Sequence, residues 1–218
     1  MAMRVNCLLV FFLALTLGLG ACVPSEVVFP DPNLEAAMRE AIGKPEGAIM
    51  VSDLEKLSAF SASGREIADI SGLEHCKNLE ALVLWDNQIS DISPLASLTR
   101  LKKLYIGSNQ ITDISPLVSL TRLTELNLGI NQIQDITPLA SMTELYWLDL
   151  WHNQIGDVTS LASLTGLETL YLNSNQLSDI SSLASLVGLS KLYPVSYTHL
   201  RAHETSLNLV CRLLLEKK

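Results

Sequence analysis

The sequence predicts an α/β repeat solenoid: an arc with a parallel β-sheet on its concave face, short 3₁₀ turns on its convex face and an α-helical N-terminal cap. A nearly strict 22-residue period is the first observation, with full copies beginning at Leu79, Leu101, Leu123, Leu145 and Leu167. Each copy opens with alternating apolar residues, which is typical of a strand with one buried face. Its later apolar residues lie three apart, which favours tight 3₁₀ turns. Because one copy cannot bury its apolar edge alone, the copies are expected to stack.

The first 22 residues are expected to direct export. One positive charge precedes an uncharged, mostly apolar run at 7–19, which is too short for a comfortable membrane span and suits a signal-peptide core. The motif LGAC at 19–22 resembles the lipobox of bacterial lipoproteins, which implies acylation of Cys22. An ordinary secretory signal with an incidental cysteine is the alternative. We therefore expect an exported protein, lipid-anchored to the bacterial membrane or cell envelope.

Residues 23–56 are predicted to form a tether and a helical cap. Asp31 and Pro32 are typical of the N-cap and the first position of a helix, and Gly43 is typical of its end. The pattern from Ser52 to Glu55 predicts a capping box that begins a second short helix. The segment VFPDPNLEAAMREAIGKP at 28–45 resembles the helical N-terminal caps of bacterial repeat proteins. It is expected to cover the exposed end of the solenoid.

Residues 57–193 are predicted to hold one eroded copy, five full copies and a truncated sixth copy of the repeat. The full copies read L-x-x-L-x-[LI]-x-x-N-Q-[IL]-x-D-[IV]-x-x-L-x-x-[LM]-x-x. This pattern resembles the leucine-rich-repeat signature, and its length, together with the phrase DISPL, resembles the internalin-like bacterial class. The resemblance implies a protein-binding module on a bacterial membrane or cell surface.

Two polar columns of the repeat are assigned to the architecture. The ninth-position asparagines are expected to form a ladder of hydrogen bonds to backbone groups of the turn: Asn87, Asn109, Asn131, Asn153 and Asn175. The thirteenth-position aspartates are expected to cap the returning turn rather than to bind calcium: Asp69, Asp91, Asp113, Asp135, Asp157 and Asp179. In pairs such as Ser93-Pro94, the hydroxyl is expected to cap the turn that the proline opens.

Residues 194–218 are expected to form no domain. The segments VSYTHLRAHET at 195–205 and LVCRLLLEKK at 209–218 resemble the translation of a transposase-type sequencing adapter. Tyr193 is therefore taken as the last native residue, and the zinc-like spacing of His199 and His203 is assigned no function. The sheet would then end at an unpaired strand, so we expect this chain to aggregate.

Composition and motifs disfavour several functions. The net charge of −8 argues against nucleic-acid binding, which needs clustered Lys and Arg. No Gly-rich phosphate loop, CxxC or HExxH motif is present, and no convincing nucleophile and base are paired. We therefore predict no enzyme, no cofactor and no metal site. Cys76 is the one cysteine of the expected folded part, so no internal disulfide is predicted, and a monomer is expected.

The candidate binding site is the concave face, formed by positions 3, 5 and 7 of each repeat. All three tryptophans occupy these positions, whereas the core positions of the full repeats are aliphatic. Trp and Tyr are enriched at interface hot spots. One group is expected around repeat four and a second, with Trp85 and Tyr105, nearer the cap. The predicted ligand-binding residues are Trp147, Asp149, Trp151, His152, Tyr171, Trp85, Tyr105 and Tyr193.

Protein–protein interaction is the function that this face favours. Carbohydrate or peptidoglycan binding is the alternative, because Trp and Tyr also stack on sugar rings. A third hypothesis is an enzyme whose catalytic domain is missing from this reading frame. A solvated face with scattered aromatic residues is the plainest interpretation.

Overall fold

The computed structural model of the chain describes residues 25–193. The predicted signal peptide, the predicted lipidation site Cys22 and the predicted adapter-derived tail lie outside the described residues. Within the described range, every helix is too short or too polar to cross a bilayer.

The cap begins with helix α1, Pro32–Ile42, which starts and ends where the sequence predicts. The Asp31 carboxylate caps it by accepting the Asn33 N–H at 2.9 Å and the Leu34 N–H at 3.0 Å. Its second oxygen accepts the Ala68 N–H at 2.8 Å, which ties the cap to the first turn of the solenoid. Gly43 ends the helix with φ at +66°, a left-handed conformation that glycine adopts at little cost.

The rest of the cap is a two-stranded antiparallel sheet followed by a second short helix. The strands are β1, Glu26–Val27, and β2, Ile49–Met50, and the helix is α2, Val51–Leu54. The predicted capping box from Ser52 to Glu55 is wrong. The Asp53 carboxylate accepts the Met50 N–H at 3.0 Å and contacts Lys44 Nζ at 2.8 Å, so it caps the helix from inside the first turn.

Seven parallel strands form the sheet of the solenoid, in the order in which they occur along the chain. Each strand pairs in register with the residues 22 positions further on, as in the pairing of Leu126 with Leu148. The strands are β3 Ala59–Ser61, β4 Ala81–Val83, β5 Lys103–Tyr105, β6 Glu125–Asn127, β7 Trp147–Asp149, β8 Thr169–Tyr171 and β9 Lys191–Tyr193.

Short 3₁₀ helices return the chain from one strand to the next. They are Leu73–His75, Ser93–Ser97, Ser115–Ser119, Thr137–Ser141, Thr159–Ser163 and Ser181–Ser185. The capping role predicted for the aspartates is confirmed, because the Asp91 carboxylate accepts the Ser93 N–H at 2.8 Å. The hydroxyl cap predicted for Ser93 is wrong, since that hydroxyl donates to Asp91 at 3.0 Å and Ile92 is the N-cap residue. Because Ile92 is the N-cap residue, Ser93 lies at the first helical position and its own N–H is one of the free donors, which the Asp91 carboxylate accepts.

One continuous core lies between the sheet and the 3₁₀ helices. Its columns are aliphatic, and residues such as Leu82, Leu104 and Leu126 are fully buried. The core continues into the cap through Leu34 and Met38. The predicted fold class, a leucine-rich-repeat solenoid with a parallel sheet, 3₁₀ turns and a helical cap, is therefore confirmed.

The asparagine ladder is also confirmed. The Asn109 amide donates to the carbonyl oxygens of Leu84 and Ile106, both at 3.0 Å, and its oxygen accepts the Ile89 N–H at 2.9 Å. The residue before each ladder asparagine is left-handed, with φ between 54° and 59°: Asp86, Ser108, Ile130, His152 and Ser174. This conformation turns the chain away from the sheet and directs the side chain of the following asparagine into the turn.

Candidate ligand-binding face

The solvent-facing side of β3–β9, which we call the concave face, carries the predicted binding residues because side chains alternate along each strand. On β7 the fully buried side chain of Leu148 separates Trp147 from Asp149, and that of Leu150 follows. Trp147 and Trp151 are half-buried, whereas core leucines are not exposed at all. The indoles therefore lie outside the core, as the alternation predicts.

Four aromatic side chains form one continuous row across the concave face. The ring of Tyr105 lies 6.0 Å from that of Trp147, which lies 5.8 Å from the ring of Tyr171. Tyr171 stacks on Tyr193 with ring centroids 4.3 Å apart and an interplanar angle of 3°. We call Tyr105, Trp147, Tyr171 and Tyr193 the aromatic row. Aromatic pairs at these separations stabilise one another beyond their buried area.

The grouping of Tyr105 with Trp85 is therefore wrong. Tyr105 projects from β5 and Trp147 from β7, and their rings meet across the intervening strand β6. Aromatic side chains are long enough to reach diagonal neighbours on a sheet. Such contacts between repeats cannot be deduced from the position of a residue within its own repeat.

Two glycines at position 7 support the remaining tryptophans, and sequence reasoning missed them. A Cβ atom on Gly107 would lie 2.2 Å from a ring carbon of Trp85, and one on Gly129 would lie 2.3 Å from a ring carbon of Trp151. The indole of Trp85 thus covers the following repeat and the indole of Trp151 covers the preceding one. At position 7 of repeats one to four the sequence has Trp, Gly, Gly and Trp, and this succession could have identified the two glycines.

Asp149 lies among these aromatic side chains and is only 8% exposed. Its carboxylate accepts the Trp151 N–H at 3.0 Å and the Asn127 amide at 3.1 Å. Burial raises its pKa to about 6, against these two hydrogen bonds, which lower it. Asn127, which sequence reasoning missed, also accepts the Gly129 N–H at 3.0 Å. The polar centre of the face is thus a hydrogen-bonded amide and carboxylate.

A second acid, Glu125, anchors the aromatic row at one side. Lys103 contacts its carboxylate at 2.7 Å, and the hydroxyl groups of Tyr105 and Tyr146 both donate to it. Burial and the adjacent Glu125 carboxylate raise the pKa of Tyr105, so this hydroxyl stays protonated. Glu125 and Lys103 were not predicted as site residues, yet Glu125 accepts the Tyr105 hydroxyl and Lys103 pairs with Glu125.

The other predicted residues lie at the margins of the face. His152 is exposed and its ring lies 5.8 Å from that of Trp151, while its left-handed backbone starts the turn. Tyr193 is 45% exposed on β9. In residues 25–193, His, Cys, Asp and Glu side chains nowhere form a group of three that could hold a metal ion.

Comparisons with known proteins agree with this architecture. A family model described as leucine-rich repeats, two copies, matches residues 99–141 and 143–185. A crystal structure of an internalin (inlF) from Listeria monocytogenes is 36% identical, with a TM-score of 0.71, over 88% of this chain and 64% of that one. A crystal structure of internalin C2 from the same species is 35% identical, with a TM-score of 0.60, over 82% of this chain and 92% of that one.

A leucine-rich-repeat protein from Leptospira interrogans is 28% identical, with a TM-score of 0.64, over 70% of this chain and 40% of that one. The chain thus spans less than two thirds of the first internalin and less than half of the Leptospira protein. A search of curated protein sequences found no match. The fold and the repeat define a leucine-rich-repeat protein. Within that class, the chain belongs to the internalin-like family.

Proposed function

We propose that this chain is a non-enzymatic module that binds a protein partner through the concave face, on the surface of a bacterial cell. The aromatic row is the observation that carries the proposal. Solenoids of this kind use their extended concave surfaces for binding. The row adds Trp and Tyr, which are the residues most enriched at binding hot spots.

The rigidity of the face supports this function. Each residue of the aromatic row projects from a strand that is hydrogen-bonded to its neighbours. Glu125 accepts the hydroxyl of Tyr105, and Asp149 accepts the side-chain amide of Asn127. Little conformational entropy remains to be lost on association, which favours affinity. We propose Trp147 and Trp151 as the central contacts, with Tyr171, Tyr105, Tyr193, Trp85, His152 and Asp149 around them.

Carbohydrate binding is the second candidate, and one observation favours it. The indoles of Trp85 and Trp151 cover two glycines, with the polar side chains of Asn127 and Asp149 beside them. An aromatic platform beside amide and carboxylate groups is the composition of a sugar subsite, in which one group stacks and the others accept hydroxyl hydrogen bonds.

Surface display rests on residues 1–22 and on the internalin-like family. We propose export, lipid anchoring through Cys22 and a monomeric state, without nucleic acid or cofactor. Labelling with radioactive palmitate in a bacterial host tests the anchor. Incorporation that disappears in Cys22→Ser supports it, and unlabelled wild-type protein contradicts it.

Paired protein and glycan arrays test the binding function. Saturable binding to an array protein is expected, and Trp147→Ala or Trp151→Ala should each cost about 2 kcal/mol, roughly a 30-fold rise in Kd. Val118→Ala is the control, because this exposed residue lies on a 3₁₀ helix on the opposite side of the solenoid. Circular dichroism should show all three variants folded.

The outcomes separate the two candidates. Binding to one glycan class, lost in Trp85→Ala and Trp151→Ala, would favour the carbohydrate function. If Trp147→Ala and Trp151→Ala bind a protein ligand as tightly as the wild type does, the concave face is not the binding site.

A further inference from the structure

We propose that Asp149, with Trp147, Trp151 and Tyr171 around it, forms a receptor for an arginine side chain of the binding partner. This inference rests on the proposed protein-binding function and names the chemistry of the partner at the centre of the face.

The position of Asp149 is the first step. It projects to the solvent side of β7, opposite Leu148 and Leu150, and yet it is nearly buried. Its burial therefore comes from the side chains beside it on the concave face and not from the core. The indole of Trp151 and an oxygen of Asp149 both approach Gly129, whose added Cβ would lie 3.2 Å from that oxygen. The result is a carboxylate at the bottom of an aromatic surround.

The charge of Asp149 is uncompensated, in contrast to the acids beside it. Glu125 contacts Lys103 at 2.7 Å, and Glu80 contacts Lys102 at 2.8 Å. Across residues 25–193, Asp149 pairs with no Lys, Arg or His; its hydrogen-bond donors are the neutral Asn127 amide and one backbone N–H. A buried carboxylate is costly without a cation and is stabilised when one is supplied.

The surrounding sequence adds a long-range field of the same sign. Residues 123–193 contain seven acidic residues and one basic residue, Lys191, whereas residues 25–122 contain fourteen acidic and nine basic residues. This half of the solenoid therefore attracts a cationic partner group and guides it toward β7. The seven acidic residues are Glu125, Asp135, Glu144, Asp149, Asp157, Glu168 and Asp179.

The aromatic surround selects arginine over lysine. A guanidinium is planar, stacks on aromatic faces and is less strongly hydrated than an ammonium, so it loses less on entering a half-buried site. Each oxygen of Asp149 accepts one hydrogen bond in the structure. Because a carboxylate oxygen has a second lone pair, both oxygens keep capacity for a guanidinium donor.

Titration with small probes tests the receptor without a known partner. Nα-acetyl-arginine amide is added to the chain while tryptophan fluorescence is recorded, with Nα-acetyl-citrulline amide as the neutral probe of the same shape. The arginine probe is expected to bind about tenfold more tightly than the citrulline probe. Asp149→Asn should reduce this preference to less than about twofold. The preference should also decline as the pH falls below about 6, where Asp149 takes up a proton.

Glu144→Gln is the matched control, because it removes one negative charge from an exposed residue of the same half. It should retain the arginine preference. Trp147→Leu keeps the carboxylate and removes one aromatic wall, so it should weaken arginine binding even if Asp149→Asn fails to fold. Thermal melting followed by circular dichroism reports on folding in each case.

Three results would overturn the receptor. The first is equal affinity for the arginine and citrulline probes, and the second is an affinity for Nα-acetyl-lysine amide equal to that for the arginine probe. The third is a loss of the arginine preference in Glu144→Gln as large as that in Asp149→Asn. The proposed function fails separately. An Asp149-dependent arginine preference in a chain that binds no array protein would leave the receptor standing and remove the protein-binding function. Binding to an array protein without an Asp149-dependent arginine preference would leave the concave face as a binding site without an arginine receptor.

Discussion

The turn columns and the concave face of the solenoid follow opposite rules. In the turns, asparagine and aspartate recur in every full repeat, and their partners are backbone groups of the same and the neighbouring repeat. On the concave face the same register gives Val83, Tyr105, Asn127, Asp149 and Tyr171 in one column. Every repeat presents identical backbone groups to the turn, so one residue type serves them all. Outward-facing side chains have no such constraint, so they can differ from one repeat to the next.

The largest effect should come from the core beneath the face. Leu150 is fully buried directly between Asp149 and Trp151. Leu150→Ala should lower the free energy of unfolding by about 2–5 kcal/mol, because it leaves a cavity under the sheet. Urea unfolding followed by circular dichroism measures this. Trp151→Ala, one position along, should change stability by less than about 1 kcal/mol; comparable losses in both variants would break the distinction between core and face.

The ladder should come next. Asn109→Ala removes an amide that satisfies three buried carbonyls and one buried N–H, so we expect a loss of about 3 kcal/mol of stability. Gln110→Ala, the exposed neighbouring column, is the control and should change stability by no more than about 0.5 kcal/mol. The denaturation midpoints of the two variants measure this difference. Equal midpoints would show that the asparagine ladder does not stabilise the fold.

A smaller, pH-dependent effect is expected at Asp149. Its pKa is raised from the ordinary 3.8 to about 6, so the folded state holds the proton more tightly than the unfolded state. The contribution to stability is therefore present at low pH and lost as the pH rises through about 6. Relative to Asp149→Asn, the wild type should lose roughly 2–3 kcal/mol between pH 4 and pH 8. A difference that does not change with pH would show that the carboxylate is not desolvated.

The smallest change in stability is expected at Ile130, where it tests whether the left-handed backbone of the turn is strained by its side chain. Ile130 is a β-branched residue with φ at +54°, which L-residues adopt at a cost. Ile130→Asn should therefore stabilise the fold by about 1 kcal/mol in thermal melts, because asparagine tolerates this region. Ser108→Asn, at the same position one repeat earlier, should gain less, since serine is not β-branched. A destabilised Ile130→Asn would mean that the isoleucine side chain compensates for its strained backbone.

Most of the fold could be predicted, because the evidence for it is periodic. The aliphatic columns, the asparagine ladder and the α1 boundaries at Asp31 and Gly43 all followed from spacing and local preference. The wrong predictions about the fold were local choices between competing caps. Asp53 and Asp91 cap their helices where Ser52 and Ser93 were expected to do so. Asp53 lies at the third helical position and accepts the N–H of the N-cap residue Met50, whereas Asp91 lies before the N-cap and accepts the N–H of Ser93.

The candidate site was only partly predictable. The outward placement of Trp147, Trp151 and Tyr171 followed from strand alternation, but Glu125, Asn127 and the two glycines were missed. Their roles depend on side chains 22 or more residues away. A residue such as Gly129 has no distinctive local pattern until the ring of Trp151 lies above it.

The sequence by itself determined the register of the molecule. A strict 22-residue period with one buried face permits one alignment of each strand on the next, because a shift by one residue would turn every leucine outward. The tertiary structure alone decided how the outward side chains combine. The contact of Tyr105 with Trp147 across β6, and the burial of Asp149, depend on the rotamers that side chains adopt over a shared sheet. Those rotamers are set by neighbours from other repeats, which meet only when the solenoid has stacked.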